Sequence, residues 1–564
     1  MLLYPSSLPA RLASPFLLVL TTATCSTPST HSAPKRAPIE AAKTESPKRA
    51  IAVSSPSARS NDSYEPSIPQ PVISLPPPFH SDEIFDIAIR GGFVLDGSGS
   101  GRKRADVIIR DGRIVHVGSV DTRVQAKREI DASGAVVSPG FIDMHAHGGP
   151  LGDVEYALAQ GITTLVLGQD GQSPSDHIGS WLAKIDAARP RVNIATLVGH
   201  ATVRFQSGAG ARKAPNAKQI EKMRTLVGQA MNEGAFGLSM GLEYDPGRSA
   251  EMNELVAVAE PVGARGGVVM SHLRSEDDDR IDASLDELLE QCSRAKARAH
   301  VAHLKIVLGH GADRAEKLLT RMVDARARGL SITADLYPYT ASYTSLSILF
   351  PDFARPPASY AQAKRTRRTE LEAFVRARVD KRNGPDATVF GTGPHAGKTL
   401  AAVAKQHGVP FERVLVDLGP NGAEAAYFVM DEAVVERLYV DPFVMVGTDG
   451  GGGGRHPRGF GAFARILDEY VGKRQLVSLE EAVRKMTSLP AQTLGLSGDR
   501  GCLDAGCAAD VLVFDPEKVR ARSEFSAPHR LATGMRFVIV NGVVEREGER
   551  ATQARAGKAL RFSR

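Results

Sequence analysis

A chain of 564 residues with 42% hydrophobic and 24% charged side chains has the composition of a soluble protein with a large core, and it is too long for a single barrel-sized domain. Its net charge of +6 comes with no recognisable DNA- or RNA-binding motif, so nucleic acid is not an expected partner. Cysteines at 25, 292, 502 and 507 are too few for a disulfide framework or a cysteine-based zinc knuckle.

Residues 1–25 read as an export signal. Arg11 precedes the apolar run Phe16-Leu-Leu-Val-Leu20, and small residues follow up to Cys25. That run falls well short of the roughly 20 apolar residues a membrane span needs. Cys25 stands where a bacterial lipoprotein carries its acylated cysteine, but Thr22-Ala23-Thr24 matches the usual preceding residues poorly. A periplasmic protein and one anchored to the membrane through a lipidated Cys25 are therefore both open. Residues 26–80 are too rich in Pro and Ser to build a core and are expected to form a disordered tether.

Residues 81–136 carry alternating segments at 84–95, 105–117 and 129–130, and Asp111-Gly112 between two of them is a hairpin signal. The same texture returns in residues 498–564, at 509–514 and 535–545, with Asn541-Gly542 as its turn. The two ends are expected to pair into one small β-sandwich.

Between them, residues 137–497 hold apolar, β-branched runs at 136–144, 163–167, 192–198, 235–240, 267–271, 299–306, 330–334 and 443–447. Helical patterning fills most of the gaps, at 216–233, 253–264, 281–296 and 313–328. Eight strands alternating with helices predict an α/β fold, a (β/α)8 TIM-type barrel. The residues from 340 to 442, between the seventh and eighth strands, exceed any ordinary loop and predict a helical insertion over the active site. Its stretch 355–382 has nine Lys/Arg against three Asp/Glu, which reads either as a lid attracting anions or as a solvated helix face.

A barrel places its chemistry at the C-terminal strand ends. His145 and His147 end the first strand, where the i, i+2 spacing turns both rings to one side. Asp170 follows the second strand, His200 the third, and His272 ends the fifth. His303 and Lys305 belong to the sixth, and Asp449 ends the eighth in Gly-Thr-Asp-Gly. Imidazoles and carboxylates gathered on one rim suit Zn2+, which takes nitrogen and oxygen ligands and leaves room for water. Asp449 beside such a water is a candidate general base, so the pattern points to metal-assisted hydrolysis.

Several ordered stretches carry a resemblance. They are Pro139-Gly-Phe-Ile-Asp-Met-His-Ala-His147, Gly237-Leu-Ser-Met-Gly-Leu-Glu-Tyr-Asp-Pro-Gly247, Ser271-His-Leu-Arg-Ser-Glu276, Asp335-Leu-Tyr-Pro-Tyr-Thr-Ala341 and His456-Pro-Arg-Gly-Phe-Gly461, followed by Met486-Thr-Ser-Leu-Pro-Ala491 and Gly501-Cys-Leu-Asp-Ala-Gly-Cys-Ala-Ala-Asp-Val511. Over about residues 84–562 the chain resembles the amidohydrolase superfamily, and within it the N-acyl-D-amino-acid deacylase (D-aminoacylase) group. The resemblance implies that His272 and His303 hold the tighter zinc, that His145 and His147 line a second metal position, and that Asp449 is the general base and later the acid. It implies substrate-binding roles for Arg458 as the carboxylate clamp and for Tyr244, Lys305 and Tyr339. Tyr337 and Tyr339 flank Pro338, and Tyr339 is the one expected to face substrate. His200 either supports a ligand or is a structural core residue.

One position departs from that group. Its strand-two turn normally presents a metal-binding cysteine in Asn-Cys-Gly, whereas this chain reads Gly168-Gln169-Asp170-Gly171. A carboxylate is a harder ligand that can bridge two cations, so Asp170 is expected to take the cysteine's place and to permit one or two ions. The expected reaction is hydrolysis of an N-acyl-D-amino acid to a carboxylate and a D-amino acid. The alternatives are hydrolysis of a cyclic or peptide-like amide, and a non-catalytic surface protein that kept the barrel. Against the cyclic option, run 235–240 has no lysine of the kind cyclic amidases carboxylate as a bridging ligand.

Overall fold

The structure, a computed structural model, describes residues 79–563. The export signal, Cys25 and nearly all of the proposed tether lie outside the described residues. Eight parallel strands form the barrel: β1 (Phe141–Asp143), β2 (Ile162–Leu167), β3 (Asn193–Thr196, resuming as Val198–Gly199), β4 (Gly237–Gly241), β5 (Val268–His272), β6 (Arg298–Val301), β7 (Ile332–Leu336) and β8 (Val444–Val446). The ring closes between β1 and β8, where Ala146 bridges Gly450 in parallel and the His147 N–H donates to the Gly450 carbonyl at 2.9 Å. Nearly every residue of these strands is buried, as expected of strands covered by side chains inside and helices outside.

The helices form where the 3.6-residue pattern predicts them. Ala217–Asn232 opens on a reciprocal capping box between Asn216 and Gln219, and Ile281–Ala295 turns Leu285, Leu288, Leu289 and Cys292 inward. Each such fully buried aliphatic side chain is worth about 1.5–3 kcal/mol.

The run 136–144 divides into two strands. Val136–Pro139 pairs with Val511–Phe514 in the flanking β-domain, and the barrel begins only at Phe141. Pro139 offers no N–H, and Gly140 has no room for a Cβ, which would stand 2.2 Å from the Thr163 hydroxyl, so the chain changes sheets at this pair. The flanking domain is a composite of both chain ends: nine strands, from Ile84–Val94 through Val543–Glu547 to Arg550–Ala551, around a core that includes Ile87, Val107, Val137, Val511 and Ile539. Both expected hairpin turns are present, with positive φ at Asp111-Gly112 and at Asn541-Gly542. Cys502 and Cys507 are joined by a disulfide in this domain, and Cys292 is a buried free thiol.

Two expectations need correction. The end of the chain does not stay with the β-domain: the Ala559 backbone bridges Ile194 at the start of β3, Leu560 N–H donates to the Ile194 carbonyl, and Phe562 packs edge-on against Phe236. This tail closes the N-terminal mouth of the barrel. The insertion is not purely helical either. A three-stranded antiparallel sheet (Ser342–Ser345, Glu424–Tyr427, Thr388–Phe390) lies within it beside the helices Tyr360–Thr366, Arg368–Lys381, Leu400–His407 and Phe411–Leu418, around a core of its own. These strands have three or four residues each, too few for alternation to stand out in the sequence.

Candidate metal centre

The end of β1 is tied to the end of β8 before any ligand is placed. The buried Asp143 carboxylate accepts from the His145 N–H (3.1 Å), the Thr448 N–H (3.0 Å) and the Thr448 hydroxyl (2.6 Å), and burial pushes its pKa up to about 7 against those bonds. The Asp449 N–H donates to the His145 carbonyl at 2.7 Å, which sets the carboxylate of Asp449 against the two imidazoles. In the turn after β2, the Gln169 amide donates to the carbonyls of Met144 and Val166, and Asp170 sits at φ 52°. His303 and Asp449 also have positive φ. Non-glycine residues in this region concentrate at functional sites, where the surrounding structure holds the strain.

Asp170 is the hub. Its Oδ1 lies 3.7 Å from His145 Nε2, 3.7 Å from His272 Nδ1 and 3.6 Å from His303 Nε2, and its Oδ2 lies 3.4 Å from His147 Nε2. Asp449 Oδ1 is 3.5 Å from His145 Nε2 and 3.2 Å from His147 Nε2. These separations are mostly long for hydrogen bonds. They suit neighbouring ligands of one tetrahedral ion, since bonds of about 2.0–2.2 Å place ligand atoms roughly 3.3 Å apart. Both ring nitrogens of His145, Nδ1 of His272 and Oδ1 of Asp170 are buried with no hydrogen-bond partner, an arrangement that costs about 1–3 kcal/mol per atom unless something else satisfies them. The donor set therefore fits a cation. Two groups meet at the shared carboxylate, His145–His147–Asp170–Asp449 and Asp170–His272–His303, which accommodates one Zn2+ or two.

Three carboxylates absent from the sequence reading stand behind the imidazoles. Glu243 Oε2 takes the far nitrogen of His272 at 3.1 Å, Glu276 Oε1 takes Nδ1 of His303 at 3.0 Å, and Asp335 lies 3.8 Å from Nδ1 of His145 while bonding His300 at 2.8 Å. Glu243 holds the ring of His272, and Glu276 together with Lys305 Nζ, 2.7 Å from His303 Nδ1, holds that of His303, so the other nitrogen of each faces the cluster, while Asp335 bonds His300 and makes no hydrogen bond to His145. All three stand inside quoted motifs, so the signal was present without the chemistry that would single them out. Burial alone would raise the carboxyl of Asp449, but Arg458, His303 and His145 outweigh it and hold the group well below the usual range.

The cluster opens into a cavity of about 510 Å³. Arg458, at the start of the helix Arg458–Arg465, reaches Asp449 Oδ2 at 2.6 Å and donates to the Tyr343 carbonyl. Lys305 is buried on the cavity wall, and its ammonium donates to Glu276 at 2.6 Å. Tyr244 packs on His272 and bonds Thr344 at 3.1 Å. Tyr339 is corrected: it is not part of the wall, and Tyr337 is. A tight turn closed by Tyr339 N–H to the Tyr337 carbonyl at 2.9 Å swings the two rings apart, leaving Tyr339 against His456, Phe525 and Arg465. His200 is also away from the cavity, buried with Nε2 2.8 Å from Glu254, a carboxylate that Arg204 grips with two N–H groups.

An eight-stranded barrel whose strand ends converge on an ion-ready set of imidazoles and carboxylates defines a metal-dependent hydrolase. The chain belongs to the Amidohydrolase family, whose model matches residues 128–545. It is 35% identical over 490 residues to the N-acyl-D-glutamate deacylase of Alcaligenes xylosoxydans xylosoxydans, covering 82% of this chain and 93% of that protein. The D-aminoacylase of the same organism is 32% identical, with 84% and 97% covered. Among solved structures, the N-acyl-D-glutamate deacylase of Bordetella bronchiseptica, complexed with zinc and a phosphonate mimic of the tetrahedral intermediate, superimposes with a TM-score of 0.73 at 31% identity, over 85% of this chain and all of that one.

Proposed function

We propose that this protein hydrolyses the linear amide of N-acyl-D-amino acids, releasing a carboxylate and a D-amino acid. The observation that carries the reading is the Asp170-centred cluster with the Asp449 carboxylate on one side and the Arg458 guanidinium 2.6 Å from it, in a chain similar throughout its barrel to deacylases of this kind. Zn2+ held by His145, His147, Asp170, His272 and His303 would polarise the acyl carbonyl and acidify a water. Asp449 takes the proton as water oxygen bonds to the acyl carbon, then returns it to the amide nitrogen as the C–N bond breaks. Arg458 keeps N–H groups beyond its bond to Asp449, and a planar guanidinium can offer two of them to the substrate's carboxylate. The test is amine release from a panel of N-acetyl-D- and N-acetyl-L-amino acids with added Zn2+. The expected result is turnover of D-substrates at least about 100-fold faster than their L-counterparts, and amine release from neither series would end the reading.

Export belongs to the same proposal. The signal-like start and the Cys502–Cys507 disulfide both suit an oxidising compartment, with Cys25 as the lipid attachment point in the anchored version. Mass spectrometry of the mature N-terminus decides: a chain beginning at an acylated Cys25 supports the anchor, one cleaved nearby without lipid supports the free form, and an intact Met1 overturns both.

A further inference from the structure

His456 stands two residues before Arg458 in the His-Pro-Arg stretch, buried in the cavity's lining, and the proposed reaction gives it no chemistry of its own. Both of its nitrogens are committed. Nδ1 accepts from the Arg458 backbone N–H at 3.1 Å, so the ring hydrogen belongs on Nε2, which donates to the Ala341 carbonyl at 2.9 Å. Burial and the charge of Arg458 hold the imidazole well below its ordinary pKa, in the neutral form these two bonds require. Tyr337, Tyr339, Tyr343 and Phe525 surround the ring nearly edge-on, with centroids 4.9–6.1 Å away.

A second bond runs beside the first. The Arg458 guanidinium donates to the Tyr343 carbonyl at 3.2 Å, so side chains 456 and 458 reach the carbonyls of 341 and 343, two residues apart on both segments. Ala341 leads into the insertion's strand Ser342–Ser345. The His-Pro-Arg turn and its helix are pinned elsewhere as well. The Ser523 hydroxyl donates to the Pro457 carbonyl at 3.1 Å, and the buried Gln160 side chain donates to the Gly459 carbonyl at 2.9 Å and accepts from the Phe463 N–H at 3.1 Å. His456 is thus the strut between a fixed helix start and the strand whose carbonyl holds the guanidinium.

We propose that His456 is a positioning residue for Arg458, setting the spacing between the two segments so that the guanidinium faces the substrate's carboxylate. This rests on the deacylase reading above. Without the ring, the Arg458 N–H and the Ala341 carbonyl lose their partners and the guanidinium loses its fixed distance from the insertion strand, so carboxylate binding suffers more than the chemistry at the acyl carbon. A substrate with no carboxylate does not use the clamp and would not feel the loss.

The experiment compares N-acetyl-D-leucine with its carboxamide, N-acetyl-D-leucinamide, on zinc-loaded wild type and on zinc-loaded His456→Leu checked for folding by circular dichroism. In the wild type the acid is expected to lead the amide by at least about 30-fold in kcat/KM. In His456→Leu, KM for the acid should rise at least about tenfold with kcat within about threefold, while the amide changes by less than about threefold, so that the acid's lead shrinks. An unchanged lead, or an equal loss on both substrates, would make His456 a packing residue and overturn the proposal. If the leucine variant does not fold, His456→Gln, which keeps a donor for Ala341 but withdraws the acceptor from Arg458, carries the same expectation. Calorimetric binding of the two ligands to the same proteins gives a readout independent of turnover. Turnover of neither ligand would end the deacylase reading, while the change in binding preference still decides His456. A wild type with no preference for the acid, in turnover or in binding, also overturns the assignment, because Arg458 would then be no clamp.

Discussion

Asp170 stands where four imidazoles converge, and its exchange separates ligand from turn-former. Asp170→Ala should leave the fold intact and remove at least one zinc equivalent, with activity falling by about 100-fold or more, whereas Asp170→Cys should retain zinc, because a thiolate is an equally competent ligand. Elemental analysis of the two purified variants checks this, and full zinc content in the alanine variant would reduce Asp170 to a turn residue. Asp449→Asn should keep zinc but lower kcat by about a thousandfold or more, since the amide cannot carry the proton. The candidate ligand positions that the fold brings together were legible because each lies at or just after a strand end, and strand ends follow from the period of apolar runs. The supporting carboxylates and Tyr337 were not. Glu243 and Glu276 act through a neighbour's ring, Asp335 bonds His300 behind the cluster, and the direction of the two tyrosines depends on a turn at Pro338 that spacing alone does not reveal.

At the level of elements, four consecutive acids after β5 organise much of the upper barrel. Glu276 holds Lys305, Asp277 accepts from Arg378 and Arg382 of the insertion, Asp278 pairs with Arg314, and Asp279 with Lys381. Much of the basic stretch 355–382 is engaged in such pairs, including Arg367–Glu370, Arg368–Glu372 and Arg376–Glu412, while Arg382 at its end lines the cavity. Asp277 is the buried latch. Burial would raise its carboxyl, but Arg378 and Arg382 outweigh that and hold it below the ordinary value of 3.8. A depressed carboxyl contributes stability above its unfolded pKa and loses it as pH falls through the folded one, so docking of the insertion should weaken only under acid, below about pH 4. Asp277→Ala leaves Arg382 buried and unpaired, a cost of about 3–5 kcal/mol. Hydrogen exchange should show faster opening across 360–382 in this variant, and unchanged protection there would contradict the latch. The insertion's position was legible from the gap between two strands, but its internal sheet was not, because long-range pairing of short strands leaves little periodicity behind.

For the molecule as a whole, a chain that leaves one sheet at Pro139 and returns to it at Val511 makes barrel and β-domain depend on each other. The tail from Gly557 to Phe562 adds a closure at the opposite end of the barrel from the cluster. Removing residues after Ala556 should cost several kcal/mol, about 1.5–3 for each of Leu560 and Phe562, and calorimetry should show a clear drop in Tm. Zinc acts on the same scale by binding only the folded arrangement: at 100 times its Kd it would add about 2.7 kcal/mol, so chelation should lower Tm reversibly. The central claim is that groups scattered from residue 145 to residue 449 share a cation. Anomalous diffraction at the zinc edge from zinc-loaded crystals tests it most directly. One or two peaks within bonding distance of Asp170 and the imidazoles of His145, His147, His272 and His303 are predicted; peaks elsewhere on the molecule, with none at Asp170, would contradict it.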